Sequence, residues 1–170
     1  IRRLSLVGVL PEMIVVAIQN SDRTRDYTPT HEVIDFFSGD SIKYTSGGGD
    51  KFLDFIEDEL IPYVEGNYPA CQYKTFVGHS FGGLSVINAL ISKPHLFNNY
   101  VAIDPSLWWG NHAFLNTADS ILATNNFNDK ALYIAVANTM GSWMDFETVR
   151  NDTTPTSAHI RSVLKFVDSN

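Results

Sequence analysis

Tyr73-Lys74-Thr75-Phe76-Val77-Gly78-His79-Ser80-Phe81-Gly82-Gly83-Leu84 decides the fold. The segment Tyr73–Val77 is rich in aromatic and β-branched residues and reads as a strand. It runs straight into Gly78-His79-Ser80-Phe81-Gly82, a G-x-S-x-G match. Beyond it Leu84, Ile87, Leu90 and Ile91 recur at helical spacing until Lys93-Pro94 stops the helix. With 11 glycines and 14 serines in 170 residues, about 0.06 chance matches to this pattern are expected, so coincidence is a poor explanation. Strand, tight turn, then helix is the context a nucleophile elbow requires. Such a turn leaves no room for a β-carbon two residues to either side of the serine. The helix points its positive N-terminal end at Ser80. The Phe81 N–H then faces any oxyanion formed by attack on a carbonyl. His79 should point to the other side of the strand, as a packed, hydrogen-bonded residue.

Outward from the elbow, strands and helices alternate. Met13–Ile18 is a continuous apolar run, read as a strand buried on both faces. Asn20–Gly49 is polar, carries Pro29 and Gly47-Gly48-Gly49, and is too long for an ordinary connection. Asp50 can cap a helix presenting Phe52, Leu53, Ile56, Leu60 and Val64, ended by Gly66-Asn67. Tyr100–Ile103 is a further strand, followed by the turn Asp104-Pro105-Ser106. A helix over His112–Ala123 and a strand over Ala131–Ala137 come next. Ile160, Val163, Leu164 and Val167 mark a final helix, and Leu4, Val7 and Leu10 a short helical face at the start. Strands alternating with helices imply right-handed βαβ units and a mostly parallel α/β sheet with helices on both faces.

Composition narrows the function classes. A net charge of −7 and a pI near 5.0 argue against a nucleic-acid or anionic-membrane surface. No apolar run approaches the roughly 20 residues that span a bilayer. The single cysteine, Cys71, cannot form an internal disulfide or a cysteine-built metal site. No Gly-rich phosphate loop or metal-ligand spacing is present, so the expected chemistry needs neither cofactor nor metal.

Four segments carry a family resemblance: Pro11–Val16, Asn20-Ser21-Asp22-Arg23-Thr24-Arg25-Asp26, Gly78–Gly83 and Pro105-Ser106-Leu107-Trp108-Trp109. Through them the chain resembles the esterase branch of the α/β-hydrolase superfamily, which includes siderophore esterases, esterase D and feruloyl esterases. It is most similar to the siderophore-esterase-like serine hydrolases. One departure is Asp104, where the resemblance leads one to expect serine. The resemblance implies an α/β-hydrolase domain over residues 1–170, incomplete at both ends. A strand between Met13–Ile18 and Tyr73–Val77, with its oxyanion donor, is expected to be missing. It also implies a serine esterase acting on a small-molecule carboxylic ester such as a siderophore lactone. An acyltransferase and a non-catalytic binding module are the alternatives.

In the superfamily the order is serine, acid, histidine. Asp145 is the expected acid, with Glu147 and Asp104 as alternatives; for Asp104 a turn-capping role is expected. His159 lies inside the final helix, so the base is expected outside this chain, and the chain alone is expected to be inactive and unstable as a monomer. His31, His95 and His112 read as loop or surface residues, and only His31 could line a site. Arg23 and Arg25 could hold an anionic substrate group or form an internal salt-bridge cluster. Of Trp108 and Trp109, one is expected to stack on an aromatic acyl group such as a catechol and the other to pack the rim.

Overall fold

The computed structural model of the chain describes residues 5–9, 11–41, 44–137, 140, 143–154 and 157–170. Three strands, β1 (Thr75–His79), β2 (Asn99–Ile103) and β3 (Ala131–Ala135), form a parallel sheet in the order β1-β2-β3. The register sets Thr75 opposite Asn99 and Asn99 opposite Ala131. Helix α4 (Phe81–Ser92) links β1 to β2, and α5 (Ala113–Thr124) links β2 to β3. Two successive βαβ units therefore bring the C-terminal ends of all three strands to one edge. The expected strand over Ala131–Ala137 stops two residues early because the Ala137 N–H leaves the ladder and donates to Asp104 Oδ1 at 3.1 Å.

Helix α4 packs on β1 and β2 and is buried almost all round, from Gly83 to Leu90. Its other sides meet α1 (Arg23–Tyr27), α2 (Gly49–Phe55) and α5. The sheet face carrying the fully buried Tyr100 and Ala102 belongs to this core. On the opposite face, where covering helices are also expected, Val77 is 57% and Tyr133 63% exposed. The α2 turns continue through a π-helical stretch, Ile56–Leu60, into α3 (Ile61–Asn67). There the Ile61 N–H donates to the Ile56 carbonyl, five residues back. Pro62 cannot donate to an i−4 carbonyl and its ring crowds the preceding turn, which accounts for the local widening. Gly48, not Asp50, is the N-cap of α2.

The N-terminal reading changes most. Met13–Ile18 forms no strand, and Met13, Ile14, Val15 and Val16 are 45–64% exposed. An apolar run becomes a strand only when another backbone takes its N–H and C=O groups, and none of the described residues pairs with it. Of the helical face expected over Leu4, Val7 and Leu10, only one turn at Ser5-Leu6 is seen; residues 1–4 and 10 lie outside the described residues. The short α6 (Phe146–Asn151) packs on the final helix, α7 (Ala158–Ser169). Helix α7 buries Ile160, Val163 and Phe166 but leaves Val167 51% exposed. Its buried stripe therefore runs through Phe166 in place of the expected Val167.

Candidate active site

Ser80 stands between β1 and α4 with φ 59° and ψ −119°. Non-glycine residues occupy such conformations at a cost of about 1–3 kcal/mol, sustained only where the surroundings enforce it. Here the enforcement is visible. The Ser80 N–H donates to the Ile103 carbonyl at 3.0 Å, and the Ser80 carbonyl accepts from Leu84 N–H at 3.0 Å and Ser106 N–H at 3.3 Å. A β-carbon on Gly78 would lie 2.1 Å from the Gly82 carbonyl oxygen, so only glycine fits. Gly82, expected to be equally constrained, has nothing within 4 Å of its would-be β-carbon. The second tight position is Gly83, whose β-carbon would come within 3.0 Å of Pro105 Cα. That glycine lets α4 close onto the turn after β2.

The Phe81 N–H belongs to the first turn of α4, where backbone donors lack intrahelical acceptors and the helix dipole is positive. The hydrogen-bond partner of Ser80 Oγ is Ser106 Oγ, at 3.3 Å, on a residue only 2% exposed. Sequence reasoning noted Ser106 only as part of a motif. Among the described residues no imidazole nitrogen lies within hydrogen-bond distance of Ser80 Oγ.

Asp104 ends β2 in a left-handed conformation, φ 51°, and its N–H donates to the Ala135 carbonyl at 2.6 Å. Its Oδ1 accepts from Ala137 N–H and lies 2.7 Å from His159 Nε2 on α7. His79 Nε2 approaches Asp104 Oδ2 to 4.0 Å. The His79 side chain is not packed as expected but 67% exposed, because it stands on the open face of the sheet. Asp145 is the N-cap of α6, accepting from Thr148 N–H at 2.7 Å. The Thr148 backbone and hydroxyl hydrogen bonds hold its carboxyl below the usual range. Glu147 sits in the first turn of the same helix. Residues 138, 139, 141 and 142, in the loop leading to Asp145, lie outside the described residues.

Around the elbow, Arg23 Nη2 donates to the His79 carbonyl at 3.3 Å, and its guanidinium lies 5.3 Å from the Phe81 ring centre. Arg25 instead pairs with Asp26 at 2.7 Å, and Asp26 also accepts from Asn20 Nδ2 at 2.9 Å. Trp109 is 2% exposed and its Nε1–H donates to Thr30 Oγ1 and the Thr30 carbonyl, a packed core residue. Trp108 is half-buried and lies 5.9 Å from the Phe81 ring, with Phe36 stacked 5.7 Å away and Phe37 edge-on at 4.6 Å. Phe36 and Phe37 had no periodic signal to set them apart from the polar stretch around them. His31 contacts Ser46, His95 pairs with Glu57 at 2.6 Å, and His112 precedes α5, its imidazole pushed down by burial.

A parallel sheet with flanking helices and a strained serine between strand and helix define an α/β-hydrolase fold. The model of the family described as "Putative esterase" matches residues 3–158, and the chain belongs to that family. It is 32% identical over 145 residues to ferri-bacillibactin esterase BesA of Bacillus subtilis, covering 80% of this chain and 50% of that protein. It is 36% identical over 100 residues to the siderophore triacetylfusarinine C esterase of Aspergillus fumigatus, covering 57% of this chain and 34% of that protein. Among solved structures, an IroE-like serine hydrolase from Shewanella oneidensis superposes with a TM-score of 0.75 at 35% identity. That match covers 88% of this chain and 46% of the other. The chain thus spans half or less of the length of these relatives.

Proposed function

We propose that this chain carries the nucleophile of a serine esterase acting on carboxylic esters with aromatic acyl groups, siderophore lactones included. The strained Ser80 backbone at a strand-to-helix turn is the observation that carries the reading. Ser80 Oγ attacks the ester carbonyl while its proton passes to an imidazole, and the Phe81 N–H holds the developing oxyanion. The intermediate collapses, the alcohol leaves with that proton, and water then releases the acid from the acyl-enzyme. Among the described residues the Ser80 hydroxyl meets the Ser106 hydroxyl and no imidazole, which supports the reading that the base is supplied from outside these 170 residues. Asp145, held ionised at the head of α6, is the acid proposed to orient it, with Glu147 and Asp104 as alternatives. Arg23, whose guanidinium reaches the His79 carbonyl beside the elbow, is the residue proposed to meet an anionic substrate group, and Trp108, beside the Phe81 ring, the one proposed to stack on an aromatic group. The siderophore substrates named for the relatives support the choice of class.

In the full-length protein, Ser80→Ala is expected to cut kcat on an activated aryl ester about a millionfold. Asp145→Asn is expected to cut it about 10⁴-fold with normal folding. Retention of a tenth of the activity by Ser80→Ala refutes the assignment. Loss on Glu147→Gln or Asp104→Asn, but not on Asp145→Asn, reassigns the acid.

A further inference from the structure

Two serines, 26 residues apart in sequence, are joined twice at the elbow. Ser106 N–H donates to the Ser80 carbonyl, and the two hydroxyl oxygens lie 3.3 Å apart. Ser106 is 2% exposed, so its hydroxyl is withdrawn from bulk water and directed at the oxygen that reacts. The turn that carries it is held from behind. Asp104 has its N–H on Ala135, its Oδ1 on both Ala137 N–H and His159 Nε2, and a left-handed backbone leading into Pro105. Gly83 packs against that proline. A carboxylate 16% exposed, satisfied by two donors from separate elements, ties β3 and α7 to the turn.

We infer that Ser106 is a further catalytic residue, whose hydroxyl donates to Ser80 Oγ, and that Asp104 and His159 are positioning residues that hold it there. The inference rests on Ser80 being the nucleophile. During attack the single Ser80 proton goes to the base, so a neighbouring hydroxyl can serve Oγ only as a donor. The Ser80 oxygen bears partial negative charge twice, as it attacks and again as it leaves the acyl-enzyme. A hydrogen bond to a charged acceptor is stronger than one to a neutral hydroxyl, so the contact tightens in both transition states. Ser106 keeps its own proton throughout, and the proton balance of hydrolysis is unchanged.

The test uses the full-length protein, a fluorophosphonate probe for the rate of Ser80 modification, and steady-state hydrolysis of an activated aryl ester. Ser106→Ala is expected to lower both the modification rate and kcat by about ten- to a hundredfold, the loss of one hydrogen bond to a developing charge. KM and the melting transition should barely change. His159→Ala, at a half-buried helix position, provides a second handle should Ser106→Ala fold poorly. It is expected to lower the modification rate several-fold, and to lower it less when Ser106 is already alanine, because the two act through one contact. Asp104→Asn keeps an acceptor for both donors and should retain most of the rate that Asp104→Ala loses. A folded Ser106→Ala with wild-type modification rate and kcat overturns the inference, as does full additivity of His159→Ala with it. If Ser80→Ala is itself still modified at the wild-type rate, the nucleophile assignment fails instead.

Discussion

Replacing Gly78 with alanine probes the elbow at its tightest point. The new β-carbon would sit 2.1 Å from the Gly82 carbonyl oxygen, 2.3 Å from its carbon and 2.9 Å from Gly83 N. Ordinary contact begins near 3.4 Å, so the first turn of α4 must move more than 1 Å from β1. All three obstacles are backbone atoms, and no side-chain rotation relieves them. Overpacked cores lose about 1–3 kcal/mol when side chains can adjust, so Gly78→Ala is expected to cost about 3 kcal/mol or more. At about 2–4 °C per kcal/mol for a domain of this size, the melting temperature falls by about 6–12 °C. Because Ser80 lies between the displaced elements, fluorophosphonate modification of any folded fraction should drop as well. Gly82→Ala is the matched control. Its β-carbon meets nothing within 4 Å and alanine favours the helix, so the melt should hold or rise by about 0.5–1 kcal/mol equivalent. The reasoning is refuted if Gly78→Ala melts and reacts like the wild type, or if Gly82→Ala is equally damaging.

Arg23→Met should lower kcat/KM for a carboxylate-bearing ester at least several-fold more than for its neutral counterpart, whereas Arg25→Met, which breaks the pair with Asp26, should show no such bias. Trp108→Ala should reduce kcat/KM for aryl over alkyl esters, while Trp109→Phe leaves that ratio alone and destabilises the fold by about 1–3 kcal/mol, since part of the buried indole's volume is left unfilled. Acid should weaken the fold through carboxylates whose native values are depressed. Asp152 is lowered to about 2 by the Ser157 hydroxyl and the Thr154 N–H, and Asp145 and Asp35 are lowered mainly by backbone donors. A depressed native value means the contribution is complete above the unfolded value near 3.8 and disappears as pH falls toward 2. Thermal melts at pH 5, 4, 3 and 2 should show the steepest loss below pH 4, and Asp152→Asn should flatten it.

The parts of the fold that were legible are those in which local pattern and pairing agree. The runs read over Tyr73–Val77, Tyr100–Ile103 and Ala131–Ala137 are rich in strand-forming residues, and each meets a neighbouring backbone, with the ends shifted by two residues in the first and third. The elbow was legible because glycine spacing, strand and helix converge on one serine. Met13–Ile18 has as strong an apolar signal, yet none of the described backbone pairs with it, and no single-residue property reports that. Gly82 and Gly83 are indistinguishable by type; the approach of Pro105 and of the Ile103 carbonyl separates the open position from the closed one. The Asp104–His159 pair joins residues 55 apart, brought together by a strand end and a helix that packs through Val163 and Phe166. His159 reads correctly as a helix residue, but its partner is set by tertiary packing. Ser106 was hidden for the same reason, since its relation to Ser80 exists only once β1 and β2 lie side by side.

Covalent modification of the full-length protein by a fluorophosphonate, located by peptide mass spectrometry, tests the central claim most directly. The account predicts a single adduct on the peptide containing Ser80, absent in Ser80→Ala while that variant melts like the wild type. An adduct on another serine, or none on a folded protein that still hydrolyses an activated ester, would contradict it.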